Sequence, residues 1–360
     1  EADALWESWQ PDVVHLHSHG LTLADVTMLK ARFPDANFVE TNVFSEPSPW
    51  ADLLDWSFQL SEWCAALYAI RSGGASNATL VPYPVRTDSF KRAGSNEIRS
   101  FREAHGISPK DVLIGRIGQS FVSKWSRVLI EDFEWIRRRR SNAKLLMVNP
   151  PKAVERQALH SKWREDIVII PQLVGDSALS TSYSAIDIFY LVADQGESFG
   201  MVAAEALLCQ TPVLTLATPW DDNTQGEVVG NGIGGWVAAT RSELPALLMR
   251  LFDDPVLRSS MGEAGRARIM ARYDMRIVCQ NALDQISNPK VRSVKPSGLL
   301  ELMESNCTGR LDGLSRQLLC TVPRFRFLSR LTSGYDSPVS LMQTFFQRRM
   351  ERFSAQQKGR

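Results

Sequence analysis

The sequence of 360 residues has few cysteines, no long apolar run and almost no net charge. Its five cysteines are widely separated, and none forms a Cys-x-x-Cys pair. Neither a disulfide framework nor a zinc site is therefore indicated, and a reducing cytoplasm is the simplest compartment for such a chain. No apolar segment approaches the roughly 18 residues that a membrane-spanning helix needs.

The small net charge also restricts the class of partner. A formal charge of +1 argues against a dedicated nucleic-acid-binding protein. The charge is nevertheless uneven, since residues 289–360 contain thirteen Lys and Arg against five Asp and Glu. This segment begins with a linker-like composition and later mixes aromatic with basic residues, as in "RFRFLSRL". We expect a basic tail, helical or partly disordered, that either packs back across the preceding domains or makes peripheral contact with an anionic membrane.

The sequence does contain a regular alternation of short apolar runs and helical segments between residues 106 and 275. Runs such as "DVLIGRIG", "AKLLMVN" and "IDIFYLV" are typical of parallel strands that are buried on both faces. Apolar residues make up 44% of the chain and charged residues 22%, so a substantial core can form. The pattern predicts a doubly wound α/β domain over residues 106–288.

Residues 1–105 show a smaller α/β pattern. The segments "DVVHLH", "NFVET", "CAALYAI" and "ATLVPYP" are predicted to be strands, which are too few for a complete nucleotide-binding fold. An incomplete parallel sheet has an unpaired edge, and such an edge invites pairing with another segment. We therefore expect an upstream segment or a partner chain to complete this first domain.

The segment "ESFG" follows the predicted strand "IDIFYLV", where ligands of open parallel sheets bind. Ser198 is predicted to cap the next helix, because its hydroxyl can accept a hydrogen bond from a backbone N–H two or three residues later. Gly200 lets a ligand approach the backbone closely. The N–H groups of Phe199, Gly200 and Met201 are expected to face a phosphate, which the helix dipole also favours.

Further polar side chains surround this predicted anion site. Glu197 precedes it, and Glu205 lies more than one turn into the helix. One carboxylate can bind sugar hydroxyls and the other ribose hydroxyls; alternatively, one is a surface residue and the other belongs to an ordinary ion pair. The segment that follows the strand "TPVLTLA" is expected to border the ligand site as well. Its residues Asp221, Asp222 and Asn223 are predicted to act either as ligands or as helix caps.

From about residue 106 to residue 275, the chain resembles the donor-binding domain of GT-B fold glycosyltransferases, specifically the retaining family 4 (glycosyl transferases group 1). The stretch "ESFGMVAAEALLCQTPVLT" resembles the E-x7-E motif of that family, and "EVVGNGIGGWVA" resembles its glycine-containing loop. Upstream, "PDVVHLHSHG" resembles the strand that delivers an active-site histidine, and "VPYPVRTDSF" resembles the crossing into the second domain. The resemblance covers roughly residues 11–280.

The resemblance implies an α/β architecture of two Rossmann-like domains that face a cleft. It implies a retaining, hexosyltransferase-like enzyme that moves a sugar from a nucleoside-diphosphate donor to an unidentified acceptor, without a metal or another cofactor. It also implies that Glu197 contacts the donor sugar, that Glu205 binds the ribose, and that the backbone from Phe199 to Met201 cradles phosphate.

The family neutralises the diphosphate leaving group with an Arg and a Lys that follow the first strand of this domain. In "IGRIGQSFVSKWS", Lys124 matches the Lys, with a solvated loop lysine as the alternative. The usual gap puts Gln119 at the Arg position, and Arg116 is the other candidate. A charge-assisted hydrogen bond contributes roughly 1.5–3 kcal/mol. A glutamine there would bring no charge, so the chain would also fit a non-catalytic nucleotide-sugar-binding subunit or module.

Three histidines lie close together in the first domain. His15 and His17 are two residues apart and therefore point to one face of a strand, while His19 lies in the following loop. The resemblance implies that His17 is the active-site histidine. The alternatives are a structural loop histidine and a metal site, although no carboxylate or cysteine accompanies the histidines locally.

Overall fold

The computed structural model describes residues 9–17, 20–72, 77–218, 222–287 and 298–308. His19 and Asp221 lie outside the described residues, as does the predicted basic tail apart from residues 298–308. Within these ranges, no helix combines the length and the apolar content needed to cross a membrane.

The described residues form parallel strands and α-helices. The strands are β1 (Val13–His17), β2 (Asn37–Asn42), β3 (Trp56–Gln59), β4 (Ala78–Leu80), β5 (Val112–Ile117), β6 (Ala143–Val148), β7 (Ile167–Ile170), β8 (Ile188–Leu191), β9 (Val213–Leu216) and β10 (Gly235–Ala238). The helices are α1 (Leu23–Arg32), α2 (Glu62–Arg71), α3 (Ser95–Ala104), α4 (Val128–Arg137), α5 (Lys152–Leu159), α6 (Asp176–Ala185), α7 (Met201–Leu208), α8 (Thr224–Val229), α9 (Leu244–Asp253), α10 (Pro255–Tyr273), α11 (Met275–Ser287) and α12 (Gly298–Ser305).

The larger sheet has the strand order β10-β9-β8-β5-β6-β7, which confirms the predicted doubly wound α/β class. Leu146 of β6 packs into one hydrophobic core, and Leu145 and Met147 pack into another on the opposite face. This burial on both faces explains why the strands are continuous apolar runs. The winding direction reverses between the neighbouring strands β5 and β8, and a reversal of this kind opens a crevice at their carboxyl ends.

The smaller sheet has the order β1-β2-β3-β4. One of its predicted strands, "CAALYAI", is wrong, because this segment belongs to helix α2. Ser61 caps that helix, and its hydroxyl accepts a hydrogen bond from the N–H of Cys64 at 3.0 Å. The side chains from Trp63 to Ala69 are all buried, so the helix shows no helical periodicity in its sequence.

Two chain crossings join the sheets and hydrogen-bond to each other. The N–H of Val85, in the first crossing, donates to the carbonyl of Tyr273 at 2.7 Å, where α10 ends. Helix α11 then returns to the smaller sheet, where Val278 packs with Val39 and Phe58. The crossings and α11 therefore tie the two sheets together.

The carboxyl edges of the two sheets meet where the start of α2 contacts the start of α8. The carboxylate of Glu227 on α8 accepts hydrogen bonds from the N–H groups of Glu62 at 3.0 Å and Trp63 at 2.8 Å. Beside it, the hydroxyl oxygens of Ser61 and Thr224 are 2.8 Å apart. Burial raises the pKa of Glu227 to about 7, although the bond from Trp63 lowers it. The two units thus face each other across a cleft, as the predicted fold class requires.

Candidate functional site

The crevice between β5 and β8 holds three charged side chains that the sequence had singled out. Arg116 belongs to β5, Lys124 lies in the loop after it, and Glu197 follows β8. Lys124 Nζ is 2.9 Å from Glu197 Oε2, and Arg116 Nη2 is 3.6 Å from Glu197 Oε1. One carboxylate thus lies between two cations at the switch point of the sheet, where ligands of this fold class bind.

Arg116 is the buried member of this cluster. Its guanidinium donates hydrogen bonds to the carbonyls of Ile117 at 2.6 Å and Lys124 at 2.7 Å. It also lies over the ring of Trp125, 5.3 Å from the ring centroid. Burial lowers the pKa of Arg116, and the charge of Glu197 opposes that shift. An arginine held in this way presents a fixed positive charge in one direction.

Gln119 lies outside this cluster. Its side chain is exposed, and its carbonyl accepts a hydrogen bond from Trp125 Nε1 at 2.9 Å. Lys124, by contrast, is 28% exposed and reaches both Glu197 and, at 3.2 Å, the carbonyl of Gly196. The geometry therefore favours Arg116 over Gln119 for the position of the family arginine beside the crevice.

The helix after this crevice begins later than the sequence predicts. Helix α7 starts at Met201, and its N-cap is Gly200, which has a φ of 94°. Ser198 does not cap the helix, because the left-handed turn at Gly200 moves the helix start beyond it; its hydroxyl donates instead to Asp222 Oδ2 at 2.8 Å. Among the described residues, no backbone or side-chain oxygen accepts a hydrogen bond from the N–H groups of Phe199, Gly200 or Met201. An anion at this helix start would be favoured by these groups and by the helix dipole.

Residues that the sequence did not single out hold the loop of Glu197 in place. The buried ring of Phe199 lies edge-to-face between Tyr83 and Tyr273, at centroid distances of 5.8 and 5.4 Å. The N–H of Glu197 donates to Gln225 Oε1 at 3.1 Å. The loop is thus anchored to both interdomain crossings and to α8, and these anchors depend on tertiary contacts that no local pattern reveals.

Glu205, the second carboxylate of the motif, lies on α7 in different surroundings. It accepts a hydrogen bond from the hydroxyl of Tyr183 at 2.8 Å and makes no ion pair with any described residue. Burial raises the pKa of Glu205 to about 7; the bond from Tyr183 lowers it, and the charge of Asp176 raises it. The alternative that Glu205 belongs to an ordinary ion pair is therefore not supported.

His17 lies at the carboxyl end of β1, the edge of the smaller sheet that faces the cleft. Its ring is 4.5 Å from that of His15, so the two lie on one face of the strand as predicted. His15 Nε2 is 2.8 Å from Thr41 Oγ1. Within the part of the chain that the structure describes, no hydrogen bond or ion pair joins His17 to Glu197, and no group of three potential metal ligands occurs.

The polar residues after β9 brace the loop that carries Glu197. Asp222 accepts the hydroxyl hydrogen of Ser198, and Asn223 Oδ1 accepts a hydrogen bond from the N–H of Thr218 at 2.8 Å. Asn223 is the N-cap residue of α8, but its side chain makes no capping bond. These side chains therefore link the loop after β8 to the loop after β9.

Comparison with known proteins finds similarity to glycosyltransferases. Residues 97–268 match the family model described as glycosyl transferases group 1. The D-inositol 3-phosphate glycosyltransferase of Kineococcus radiotolerans is 36% identical over 110 residues, which are 29% of this chain and 25% of that protein. The GDP-mannose-dependent monoacylated alpha-(1-6)-phosphatidylinositol monomannoside mannosyltransferase of Corynebacterium glutamicum is 25% identical over 205 residues. That match covers 55% of this chain and 53% of the relative. The matched part of this chain thus spans about half of the Corynebacterium protein and a quarter of the Kineococcus protein.

The fold is shared with solved structures of low sequence identity. Anabaena HepE in complex with UDP superimposes with a TM-score of 0.64 at 14% identity, over 79% of this chain and 80% of that one. A likeness at this identity bears on the fold alone. The chain therefore has the GT-B glycosyltransferase fold, and its residues 97–268 carry the sequence pattern of the glycosyl transferases group 1.

Proposed function

We propose that this chain is a retaining glycosyltransferase, of the family 4 type, that moves a sugar from a nucleoside-diphosphate donor to an acceptor. The observation that carries the proposal is the cluster of Arg116, Glu197 and Lys124 at the switch point between β5 and β8. A sugar diphosphate needs acceptors for its hydroxyls and donors for its phosphates. This crevice offers a carboxylate, two cations and the amides at the start of α7.

The cations act on the leaving group. As the bond between the anomeric carbon and the diphosphate breaks, negative charge grows on the departing phosphate oxygen. Lys124 is partly exposed and turns from Glu197 to this oxygen, while Arg116 supplies a fixed positive charge behind it. Preorganised charge of this kind stabilises a developing anion, and we assign the stabilisation to these side chains rather than to a metal ion.

The remaining assignments follow from position. Glu197 accepts hydrogen bonds from hydroxyls of the donor sugar once Lys124 has moved, and the amides of Phe199, Gly200 and Met201 bind phosphate. Glu205 accepts hydrogen bonds from the ribose hydroxyls. His17, on the cleft-facing edge of the other sheet, lies on the acceptor side of the transferred sugar.

The names of the relatives support a nucleotide-sugar donor without selecting one. The Corynebacterium relative depends on GDP-mannose, whereas Anabaena HepE was solved with UDP. The donor base, the sugar and the acceptor of this chain are therefore best found by a screen. UDP-glucose, GDP-mannose and ADP-glucose would each be tested for binding, hydrolysis and transfer, with and without EDTA. Retention would be read from the anomeric signals of the product by NMR.

The site assignment is tested by comparing nucleotide sugars with the corresponding nucleosides. Lys124→Ala should weaken nucleotide-sugar binding roughly tenfold or more, because a charge-assisted bond to phosphate contributes about 1.5–3 kcal/mol. The same substitution should leave nucleoside binding unchanged, as measured by calorimetry. Lys152→Ala removes a lysine that is 88% exposed and serves as the control. Equal losses for the nucleoside and the nucleotide sugar would contradict the placement of Lys124 at the diphosphate.

The second candidate function is a non-catalytic nucleotide-sugar-binding module. This function is favoured if Gln119 occupies the position of the family arginine, because a glutamine carries no charge. Arg116, which lies beside Glu197, carries that charge and so favours the enzyme. Nucleotide-sugar binding without hydrolysis or transfer to any tested acceptor would favour the binding module over the enzyme.

A further inference from the structure

The proposed function leaves one buried polar group beside Glu205 without a role. Tyr183 on α6 is fully buried, and its hydroxyl donates a hydrogen bond to Glu205 Oε2 at 2.8 Å. Its ring packs edge-to-face against Phe90 and Phe189, at centroid distances of 6.3 and 5.4 Å. These ring contacts hold the phenolic oxygen of Tyr183 beside Glu205.

We propose that Tyr183 is a positioning residue that orients the Glu205 carboxylate for the ribose hydroxyls of the donor. This inference rests on the proposed function, since it takes Glu205 to be the ribose-binding carboxylate. An ionised carboxylate has about four lone-pair directions. Tyr183 occupies one of them and fixes the rotation of the carboxylate, which leaves the others directed for two neighbouring hydroxyls.

The same bond affects the charge of Glu205. Burial raises its pKa to about 7, the Tyr183 bond lowers it, and the negative charge of Asp176 raises it. The elements that surround α7 also carry titratable or charged groups. These are Asp176 and Tyr183 on α6, Cys209 after α7, Glu227 on α8, Arg266, Arg268 and Arg272 on α10, and Arg116 on β5. Within this set, Tyr183 is the group that hydrogen-bonds the carboxylate and favours its ionised form.

Removal of the Tyr183 hydroxyl should therefore change donor binding in two ways. The carboxylate loses its fixed orientation, and it keeps its proton up to a higher pH. A hydrogen bond to an ionised acceptor is roughly twice as strong as one to a neutral acceptor. The donor should thus bind more weakly at pH 7, and the pH at which its binding strengthens should move upward.

Calorimetry with UDP-glucose, GDP-mannose and ADP-glucose between pH 6 and pH 8 tests this, because the diphosphate diesters of these compounds do not titrate in that range. Wild-type affinity should rise roughly fivefold over this range as Glu205 loses its proton. Tyr183→Phe should bind roughly tenfold more weakly at pH 7, with its rise displaced to higher pH. Tyr190→Phe is the matched control, since Tyr190 is equally buried but donates its hydroxyl hydrogen to Asp132 instead. It should keep the wild-type profile.

A titration that does not depend on the donor keeps the inference testable if Tyr183→Phe loses donor binding for another reason. The side-chain carboxyl carbon of Glu205 is followed by NMR in the wild-type protein and in Tyr183→Phe, with Glu205→Gln to assign its signal. It should titrate near pH 7 in the wild-type protein and at a higher pH in Tyr183→Phe, and equal titrations would overturn the inference. An unchanged binding profile in Tyr183→Phe would also overturn it but leave the proposed function standing. If the wild-type protein binds none of the three nucleotide sugars, both fail.

Discussion

The two carboxylates of the motif belong to one short loop and helix, yet they lie in opposite electrostatic surroundings. Glu197 is placed between Lys124 at 2.9 Å and Arg116 at 3.6 Å. Glu205 makes no ion pair with any described residue, and its polar partner is the neutral hydroxyl of Tyr183. The same residue type can therefore serve two purposes in one motif, because its surroundings decide which form of the carboxyl group is favoured.

This difference corresponds to two kinds of ligand group under the proposed function. The cluster at Glu197 lies beside the start of α7, where a diphosphate and the attached sugar would bind. Glu205 lies deeper along the helix, where the ligand groups would be uncharged hydroxyls. A carboxylate that meets only hydroxyls needs no cation, but it needs a neighbour such as Tyr183 that favours its ionised form.

The largest effect on stability is expected when the charge of Glu197 is removed. Glu197→Gln leaves the buried Arg116 beside Lys124 without a counter-charge. Loss of one partner of a buried pair costs about 3–5 kcal/mol. Because Lys124 is 28% exposed and can turn to solvent, we expect a loss near the lower end, about 3 kcal/mol. The free energy of unfolding in urea at pH 7 measures it.

An exposed ion pair provides the control for that measurement. Glu165 pairs with Arg164, and the two side chains are 85% and 66% exposed. Glu165→Gln should change the free energy of unfolding by less than about 0.5 kcal/mol. If Glu197→Gln and Glu165→Gln lose equal stability, solvent rather than Glu197 compensates the charge of Arg116. The electrostatic difference between Glu197 and Glu205 would then be contradicted.

A somewhat smaller effect, of opposite sign, is expected at Glu205. Its pKa in the folded chain is raised by burial from 4.5 to about 7. The carboxyl group therefore contributes stability that is fully present below the unfolded-state pKa and is lost as the pH rises through 7. A glutamine does not titrate, so Glu205→Gln removes this pH-dependent loss of stability. Relative to wild type, the variant should gain roughly 2–3 kcal/mol in unfolding free energy between pH 5 and pH 8.

Glu227 must be included in that experiment, because burial raises its pKa to about 7 as well. Glu205 and Glu227 should each contribute to the decline of the wild-type unfolding free energy between pH 5 and pH 8. Glu205→Gln and Glu227→Gln should each remove one part of this decline. The pH dependence left in the double variant should come from other groups, such as Asp132, whose pKa burial raises to about 6, and His15, whose pKa burial lowers to about 4. A wild-type protein whose stability does not fall over this range would contradict the raised pKa of both carboxyl groups.

The fold was largely predictable because burial leaves a direct record in the sequence. Strands such as β6 and β8 are buried on both faces and therefore form continuous apolar runs. Helix α2 was missed for a related reason, since it is buried all round. Seven consecutive buried side chains, from Trp63 to Ala69, carry no periodicity that would distinguish a helix from a strand.

The candidate site was predictable only where its residues are close in the chain. Glu197 and Glu205 could be located together because they share one motif. Tyr183 is 22 residues from Glu205, and no local pattern links them. The preference for Arg116 over Gln119 likewise depends on which side chain is buried in the crevice, which spacing alone does not decide. The contacts that tune the site are therefore tertiary.

The smallest effect is expected at the turn that separates the two carboxylates. Gly200 has a φ of 94°, and a Cβ there would lie 3.5 Å from Glu197 Cβ, so Gly200→Ala meets backbone strain rather than a clash. A left-handed non-glycine residue costs roughly 1–2 kcal/mol. Gly226 in α8 needs no such conformation, and Gly226→Ala should stabilise by roughly 0.4–1 kcal/mol. Urea denaturation should thus give opposite signs for the two variants. If Gly200→Ala were as stable as wild type, the left-handed turn would not hold the helix start beyond Ser198, and the different surroundings of Glu197 and Glu205 would need another cause.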